Sequence, residues 1–468
     1  MVRLSRRSAD RRVVQRALAG LVLAALAVAP LGLVAPAVAA TGWADFGTPT
    51  ATSAFTTGVT FNQPVSVSRA VGRVELLLSA ANAIGPNVIE ATGPIDQGST
   101  TLTYLLDPSA DGHVLPNTPL TGRWRLVAAD DPSDIEVGPP VRITYADDRF
   151  EWQTEAGALV RVHWNEGSKA FGERALAIGN DAVQQAAELL QVTESDPIDF
   201  FVYADQAAFY DALGPGTREN VGGQANAEIR TMFALIPTSE INDAWVGIVI
   251  PHELTHLVFN TAASNPYHFP PRWLNEGLAV YLSQGYDASD RDSVDRAASG
   301  GSLIPLDGLT GQFPTSADRF GLAYSESVSA VDYLIRTYGR DPLVSLIRSY
   351  ADGHTDDEAF EAAIGVDMSV FGEGWLADLG AAAPTRYGPQ SAPPGPIPEA
   401  WSGEPGSSPN AGGGGGATNG PGAPGVPDSG GASDSTGTVL IVALILIGIV
   451  VVVVFAIMRR RRAASESR

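Results

Sequence analysis

The stretch His252-Glu253-Leu254-Thr255-His256 is the most informative part of this 468-residue chain. Residues four apart on a helix share a face, so both imidazoles can reach one metal ion. Glu253 lies beside that position, where its carboxylate can act as a general base. Pro251 lacks an N–H, so it predicts the first turn of a helix or else a kink. Apolar neighbours predict a buried helix whose histidines need partners: Ile248, Ile250, Leu254, Leu257, Val258 and Phe259.

A third metal ligand is predicted further along the chain, after 19 intervening residues. Glu276 lies within the stretch 273–282, whose apolar spacing is typical of a second helix packed on the first. A loop of this length lets an antiparallel neighbour present Glu276 to the same ion. Two histidines and one glutamate with an open fourth position are a ligand set of catalytic zinc. The sequence therefore predicts Zn2+ bound by His252, His256 and Glu276.

The two motifs together resemble a known group of enzymes. His-Glu-x-x-His followed by Asn275-Glu276-Gly277 is similar to the gluzincin metallopeptidases, which include thermolysin and the membrane-alanyl-type aminopeptidases. The resemblance is strongest to the bacterial proteins described as peptidase-MA-like, and it runs from about 150 to 379. It includes further helical stretches at 323–327, 333–339 and 359–365. The resemblance implies a zincin-like fold, a peptide or protein substrate, and the same zinc ligands and base that the spacing indicates.

One stretch departs from the aminopeptidases. Those enzymes carry Gly-Ala-Met-Glu-Asn upstream of the zinc helix to hold a free amino terminus. The corresponding residues 222–228 read Gly-Gly-Gln-Ala-Asn-Ala-Glu, which is a different motif. An endopeptidase is therefore favoured over an aminopeptidase, with Glu228 as an alternative anchor for the amine. In gluzincins the substrate backbone pairs with an edge strand above the zinc, and Ile229–Ile236 is the candidate for that strand.

Peptide hydrolysis through such a site needs a second donor to the oxyanion besides the metal. Tyr324, on a predicted downstream helix, is the candidate, and the alternative interpretation is a tyrosine of the core. His268 and His354 are weaker candidates that fit loop positions better. His113 fits a loop and His163 a strand, so both are interpreted as structural.

Both ends of the chain predict contact with a membrane. Residues 1–40 begin with six arginines, continue with an apolar run and end with small residues, which is typical of a secretory signal. The pair Arg6-Arg7 leaves twin-arginine export open. Residues 439–458 are apolar throughout, and 20 residues at 1.5 Å each span about 30 Å of hydrocarbon. Four arginines follow, so the tail 459–468 is expected in the cytoplasm and the body outside the cell.

Between these ends, periodicity and composition divide the chain into three parts. Residues 43–148 show short alternating runs separated by turn residues, which predict a small all-β, sandwich-like accessory domain. Residues 150–383 show a helical stretch at 169–190, a buried strand at 198–203 and mostly helices from about 245. Strands followed by helices predict an α+β domain with a helical C-terminal half, and the resemblance implies that it is the zinc peptidase domain. Residues 384–436 are rich in Pro, Gly and Ser, which predicts a disordered stalk.

Composition excludes several functions. The net charge of -22 argues against nucleic acid as a partner, because a basic surface is needed to hold it. The absence of cysteine excludes disulfides, thiol nucleophiles and cysteine metal sites. The alternative function is a catalytically inactive cell-surface binding or scaffold protein, and the intact set of ligands and base argues against it.

Overall fold

The computed structural model describes residues 42–81, 85–214, 222–265 and 268–384. The predicted signal at 1–40, the stalk beyond residue 384, the apolar segment 439–458 and the tail 459–468 lie outside the described residues. Within the described ranges, no helix combines the length and the apolar character that a bilayer span requires.

Two antiparallel sheets form the first part of the described chain and pack face to face. The first sheet consists of β1 (Ala44–Phe46), β2 (Thr50–Ala54), β3 (Gly58–Val67) and β6 (Gly98–Leu106). The second consists of β4 (Val71–Ala80), β5 (Asn87–Thr92), β7 (Thr118–Ala128), β8 (Ile135–Val137) and β9 (Val141–Tyr145). A Cβ at Gly122 would lie 2.5 Å from the Phe61 ring, so the sheets are in close contact there. The predicted alternation is confirmed, since Val74, Leu76 and Trp124 are buried.

A third sheet of five strands follows. It consists of β10 (Gln153–Ala156), β11 (Val160–Trp164), β12 (Ile198–Tyr203), β13 (Gly223–Asn226) and β14 (Thr231–Leu235), in the order β10-β11-β12-β14-β13. The three inner strands are parallel, and the outer strands β10 and β13 are antiparallel to their neighbours. The predicted strand at 198–203 is confirmed.

The prediction of Ile229–Ile236 as the edge strand is wrong. That segment contains β14, which lies between β12 and β13, so β13 is the edge. The turn before β14 folds β13 back onto it, because Asn226 Oδ1 accepts from the backbone N–H of Ile229 and Arg230 adopts a φ of 48°. The four residues of β13 are too short and too rich in small side chains to give an alternating pattern.

Helices make up most of the remaining chain, and the mixed α and β composition is confirmed. They are α1 (Lys169–Leu190), α2 (Gln206–Leu213), α3 (Val246–Ala263), α4 (Arg272–Ser283), α5 (Ala288–Gly300), a 3-10 turn (Leu306–Leu309), α6 (Ala317–Thr337), α7 (Arg340–Ala351), α8 (Asp356–Ile364) and α9 (Met368–Asp378). The sequence predicts the bounds of α1 correctly.

Helix α3 carries the His-Glu-x-x-His motif, and of the two positions predicted for Pro251 the structure shows the one inside the helix. Pro251 lies inside the helix rather than in its first turn. The helix begins earlier because the carbonyls of Asp243 and Trp245 already accept hydrogen bonds from Val246 and Ile248. Since Pro251 has no N–H to donate, that position of the helix ladder lacks a bond.

Helix α4 packs between α3 and α6, and one glycine sets how close it comes to α6. A Cβ at Gly277 would lie 2.4 Å from the backbone oxygen of Ser327, well inside any contact that real atoms make. The glycine of the Asn-Glu-Gly motif therefore lets the two helix backbones meet. This contact fixes α4 next to the helix that carries Tyr324.

The two faces of the third sheet have different neighbours. Phe200 and Val202 belong to a core shared with α1 and α3. Tyr203 and Phe233, on the opposite face, belong to a core that continues into the two-sheet region and includes Trp124. The sheet that leads to the motif helix is therefore covered by helices on one side and largely by the sandwich on the other.

Candidate metal centre

Two imidazoles and one carboxylate meet where α3 and α4 pack. Nε2 of His252 lies 3.2 Å from Nε2 of His256, and Oε2 of Glu276 lies 3.6 Å from each of them. Zinc bonds of about 2.0–2.2 Å in tetrahedral geometry separate neighbouring ligand atoms by roughly 3.4 Å. The three measured distances match that spacing. The structure therefore brings together the three predicted ligands in an arrangement that fits zinc.

These side chains are shielded from solvent, with exposures of 2% for His252, 7% for His256 and 3% for Glu276. Burial penalises the imidazolium and lowers the pKa of His252 to about 4, and the nearby His256 contributes in the same direction. His252 is therefore neutral near pH 7. Neutral imidazole is the form that binds a metal.

The tautomer of His256 is set by a neighbour in the Asn-Glu-Gly motif. Nδ1 of His256 lies 2.9 Å from Oδ1 of Asn275. An amide oxygen only accepts, so Nδ1 carries the proton and donates it to Asn275. The lone pair is then on Nε2, which faces Glu276 and His252. Asn275 thus acts as the outer partner that orients a metal-binding histidine.

Arg272 keeps the carboxyl group of Glu276 ionised. The sequence alone did not identify Arg272 as a residue of the site. Nε and Nη2 of Arg272 both donate to Oε1 of Glu276, at 3.1 and 3.0 Å. Burial acts to raise the pKa of Glu276, but contact with His252 and the charges of His256 and Arg272 lower it to about 2. The available signal was an arginine one turn before the predicted ligand in a mostly apolar helix.

Glu253 is fully buried and lies beneath the edge strand. Its Oε2 accepts a hydrogen bond of 3.1 Å from the backbone N–H of Ala225. A Cβ at Gly223 would lie 2.9 Å from Cγ of Glu253, so β13 passes directly over the side chain. Burial, followed by repulsion from Glu276, raises the pKa of Glu253 to about 8. A carboxyl group with such a pKa can both accept and release a proton near neutral pH.

Tyr324 reaches the same site from α6. Its ring centroid lies 6.5 Å from that of His252, and Phe313 and Phe320 pack around it at 5.2 and 5.1 Å. Burial, followed by the charge of Glu276, raises the pKa of Tyr324 well above its ordinary value, so the hydroxyl keeps its proton. The structure therefore places a neutral hydroxyl donor beside the three candidate ligands.

Four buried polar atoms around this point have no hydrogen-bond partner within the described part of the chain: Oε1 of Glu253, Oε2 of Glu276, Nη1 of Arg272 and the hydroxyl of Tyr324. Buried polar atoms are normally paired, because leaving one unpaired costs about 1–3 kcal/mol. Two carboxylate oxygens and two donors left unpaired in one place indicate a site that receives a cation and a polar substrate.

The other histidines contact different parts of the protein. His268 stacks on Tyr350 at 5.5 Å, and Nδ1 of His354 lies 3.0 Å from a carbonyl of its own preceding helix. His113 and His163 contact a carbonyl and a carboxylate, at 3.1 and 3.0 Å. Glu228 is exposed in the turn between β13 and β14. These contacts fit structural roles.

Comparison with known proteins agrees with this site. Residues 178–381, less than half of the chain, match the family model of the Peptidase MA superfamily. That segment contains the histidine motif, Glu276 and Tyr324. No curated protein matches the chain.

Three solved structures show distant similarity. An aminopeptidase N family protein from Idiomarina loihiensis is 12% identical, with a TM-score of 0.38 over 70% of this chain and 75% of that chain. An M1 zinc metallopeptidase from Deinococcus radiodurans is 14% identical, with a TM-score of 0.30. The alignment covers 72% of this chain and 94% of that chain. The ZmpB metallopeptidase from Clostridium perfringens is 10% identical, with a TM-score of 0.32. The alignment covers 72% of this chain and 74% of that chain. The match to the family model and the histidine motif, rather than these similarities, indicate the class of the segment.

The segment 178–381 is thus a gluzincin metallopeptidase domain of the Peptidase MA superfamily. The protein is a zinc metallopeptidase, a hydrolase whose cofactor is Zn2+.

Proposed function

We propose that this zinc peptidase is an endopeptidase that works outside the cell and is held at the membrane by a single C-terminal helix. The observation that carries its chemistry is the convergence of three ligand atoms 3.2–3.6 Å apart beside an unpaired carboxylate oxygen of Glu253. His252, His256 and Glu276 bind the metal in this proposal. Zinc, when bound, activates a water molecule and polarises the scissile carbonyl.

Glu253 is the general base in this mechanism. Ala225 holds one carboxylate oxygen, and the other oxygen, Oε1, has no partner among the described residues. Oε1 takes the proton from the attacking water and later returns it to the leaving amine. Glu253 can serve in both steps because the carboxyl group that accepts the proton as a base releases it again as an acid.

Tyr324 stabilises the negative charge that develops on the carbonyl oxygen. Its hydroxyl is protonated and buried, and the O–H has no acceptor among the described residues, which makes it available as a donor. A fixed donor in a site shielded from water needs no reorganisation when the charge appears. Tyr324 therefore acts in the transition state more than in the bound substrate.

The edge strand supports endopeptidase rather than aminopeptidase activity. Above Glu253, β13 presents Gly223, Gln224, Ala225 and Asn226, none of which supplies a carboxylate for a substrate amine. An extended peptide can add to a sheet edge through its backbone at any point along its length. A library of internally quenched peptides tests this. We expect cleavage of N-acetylated peptides at internal bonds, whereas cleavage restricted to free amino termini contradicts the proposal.

The location outside the cell rests on the predicted signal at 1–40 and the apolar segment 439–458. Epitope tags placed after residue 42 and after residue 468 test it in intact cells. Added protease should remove the first tag and spare the second, and lysis should expose both. Protection of the first tag in intact cells contradicts the proposed topology.

A further inference from the structure

Arg272 is fixed on several sides at the start of α4. Its backbone N–H donates to the carbonyl of Thr310 at 2.9 Å, and its side chain is only 8% exposed. Cζ lies 4.6 Å from the centroid of the Phe313 ring, a cation–π contact. An exposed helical ion pair is usually mobile, but this guanidinium has one orientation set by its surroundings.

The hydrogen bonds of Arg272 are distributed unequally over the carboxylate of Glu276. An arginine fork usually gives one bond to each carboxylate oxygen. Here Nε and Nη2 both donate to Oε1, and Oε2 is left for the two imidazoles. This pairing presents a single oxygen to the metal position.

The guanidinium of Arg272 also packs near a second residue of the same site, Tyr324. Nη1 is buried, and the guanidinium and the phenol of Tyr324 pack on the same ring: Cζ of Arg272 lies 4.6 Å, and the Tyr324 ring centroid 5.2 Å, from the centroid of Phe313. A guanidinium has donors only, so it can face the oxygen of Tyr324 but not its proton. The phenolic O–H is then turned away from Arg272.

We propose that Arg272 is a positioning residue that couples the two halves of the catalytic site. It confines Glu276 to binding the metal through Oε2, and it orients the hydroxyl of Tyr324 towards the substrate carbonyl. This inference rests on the proposed zinc peptidase mechanism and adds a residue to it. A plain helix-stabilising ion pair between Arg272 and Glu276 is the competing interpretation.

The test compares Arg272→Met with Arg336→Met in the full chain. Arg336 also pairs with an acid one turn away on its own helix, Asp332 at 2.7 Å, but it is half exposed. Met retains length and packing against Phe313 and removes the charge. Metal content, the visible absorption of the Co2+-substituted protein, kcat and KM are measured for both variants.

For Arg272→Met we expect one bound metal ion, a changed Co2+ spectrum and kcat reduced by roughly 10²-fold, with KM nearly unchanged, as for a lost transition-state contact. Arg336→Met should match the wild type. Adding Tyr324→Phe to Arg272→Met should lower kcat little further, because both act through one hydroxyl. A wild-type spectrum and kcat in Arg272→Met overturn the proposal.

Arg272→Lys keeps the test decisive if the Met variant fails to fold. Lysine retains the charge but cannot donate as a planar fork. We expect a folded protein with a changed Co2+ spectrum and kcat between those of the wild type and a Tyr324→Phe variant. An unchanged spectrum and kcat contradict the proposal. If the wild type itself binds no metal or cleaves no peptide, the proposed function has failed rather than the role of Arg272.

Discussion

The backbone N–H of Ala225 donates to Oε2 of Glu253 over 3.1 Å, which ties the edge strand β13 to the helix that carries both histidines. One carboxylate oxygen is held by the strand, and the other is unpaired and buried. The strand proposed to receive the substrate therefore also orients the proposed base.

Replacing Glu253 with Gln should separate metal binding from proton transfer. Glutamine retains an oxygen for Ala225 and leaves the three candidate ligands intact, so zinc should remain bound. Removal of a general base typically lowers the rate by about 10²–10⁴-fold. Zinc analysis and peptide turnover measure the two effects. The control is Glu361→Gln, which changes an exposed glutamate on α8. If zinc-loaded Glu253→Gln retains wild-type turnover, the base is misassigned.

Replacing Glu276 with Ala should weaken zinc binding. The purified wild type is expected to hold about one zinc per chain, and the variant loses one of three ligands together with its charge. We expect zinc affinity to fall by at least roughly 10²-fold, since even outer partners of zinc ligands contribute 10–100-fold. Competition with a chelator measures the affinity. Glu228→Ala, at an exposed glutamate, should bind zinc like the wild type.

Replacing Tyr324 with Phe should lower kcat by roughly 10²–10³-fold, about 2.7–4 kcal/mol, as for loss of one oxyanion donor. KM and zinc content should change little, because the ring still packs against Phe313 and Phe320. Tyr350→Phe is the matched control, since that buried hydroxyl donates to Asp356 at 3.1 Å. It should reduce thermal stability and leave kcat intact. If Tyr324→Phe behaves in the same way, Tyr324 is a core residue only.

Replacing Gly277 or Gly247, both in helices, with alanine should change the stability of the protein in opposite directions. Gly277→Ala places a methyl group 2.4 Å from the backbone of α6 and should destabilise the protein by about 1–3 kcal/mol, as for overpacking. Gly247→Ala, in α3, meets no neighbour within 4 Å and should stabilise it by up to about 1 kcal/mol, as alanine favours a helix. Denaturant unfolding measures both, and equal responses would contradict the close approach of α4 and α6.

Stability should depend on pH through Glu326, which is fully buried on α6 and accepts from the backbone N–H of Ile304 at 3.0 Å. Burial raises its pKa from 4.5 to about 8. The folded protein therefore binds a proton more tightly than the unfolded chain, and this contribution is lost as pH rises from about 4.5 to 8. Each pH unit in that window changes the free energy of unfolding by up to about 1.4 kcal/mol.

Glu326→Gln should flatten this pH dependence, because an amide does not ionise. Urea unfolding of the wild type and the variant at several pH values between 5 and 8 measures the difference. Glu361→Gln is again the control and should follow the wild type. A Glu326→Gln protein with the slope of the wild type would show that Glu326 does not titrate in this range.

The sequence predicts those features of the fold and of the candidate site that depend on the local spacing of residues. The histidines four apart, the later glutamate and the bounds of α1 and β12 all follow from helical or alternating periodicity. The edge strand β13 could not be predicted, because Gly223–Asn226 carries no pattern and becomes a strand only by pairing with β14. Arg272 and Asn275 gain their roles from the packing of α4 on its neighbours, which no spacing rule specifies.

The aromatic face of the third sheet has a consequence for the architecture of the enzyme. Tyr203 and Phe233 of this sheet, together with Phe209 of α2, are fully buried in a core that they share with the N-terminal sandwich. Deleting the sandwich would expose this hydrophobic surface, which lies on the opposite face of the sheet from α3, the helix that carries both histidines. The N-terminal region is therefore a structural part of the enzyme, because it shares a hydrophobic core with the third sheet, rather than a separate domain.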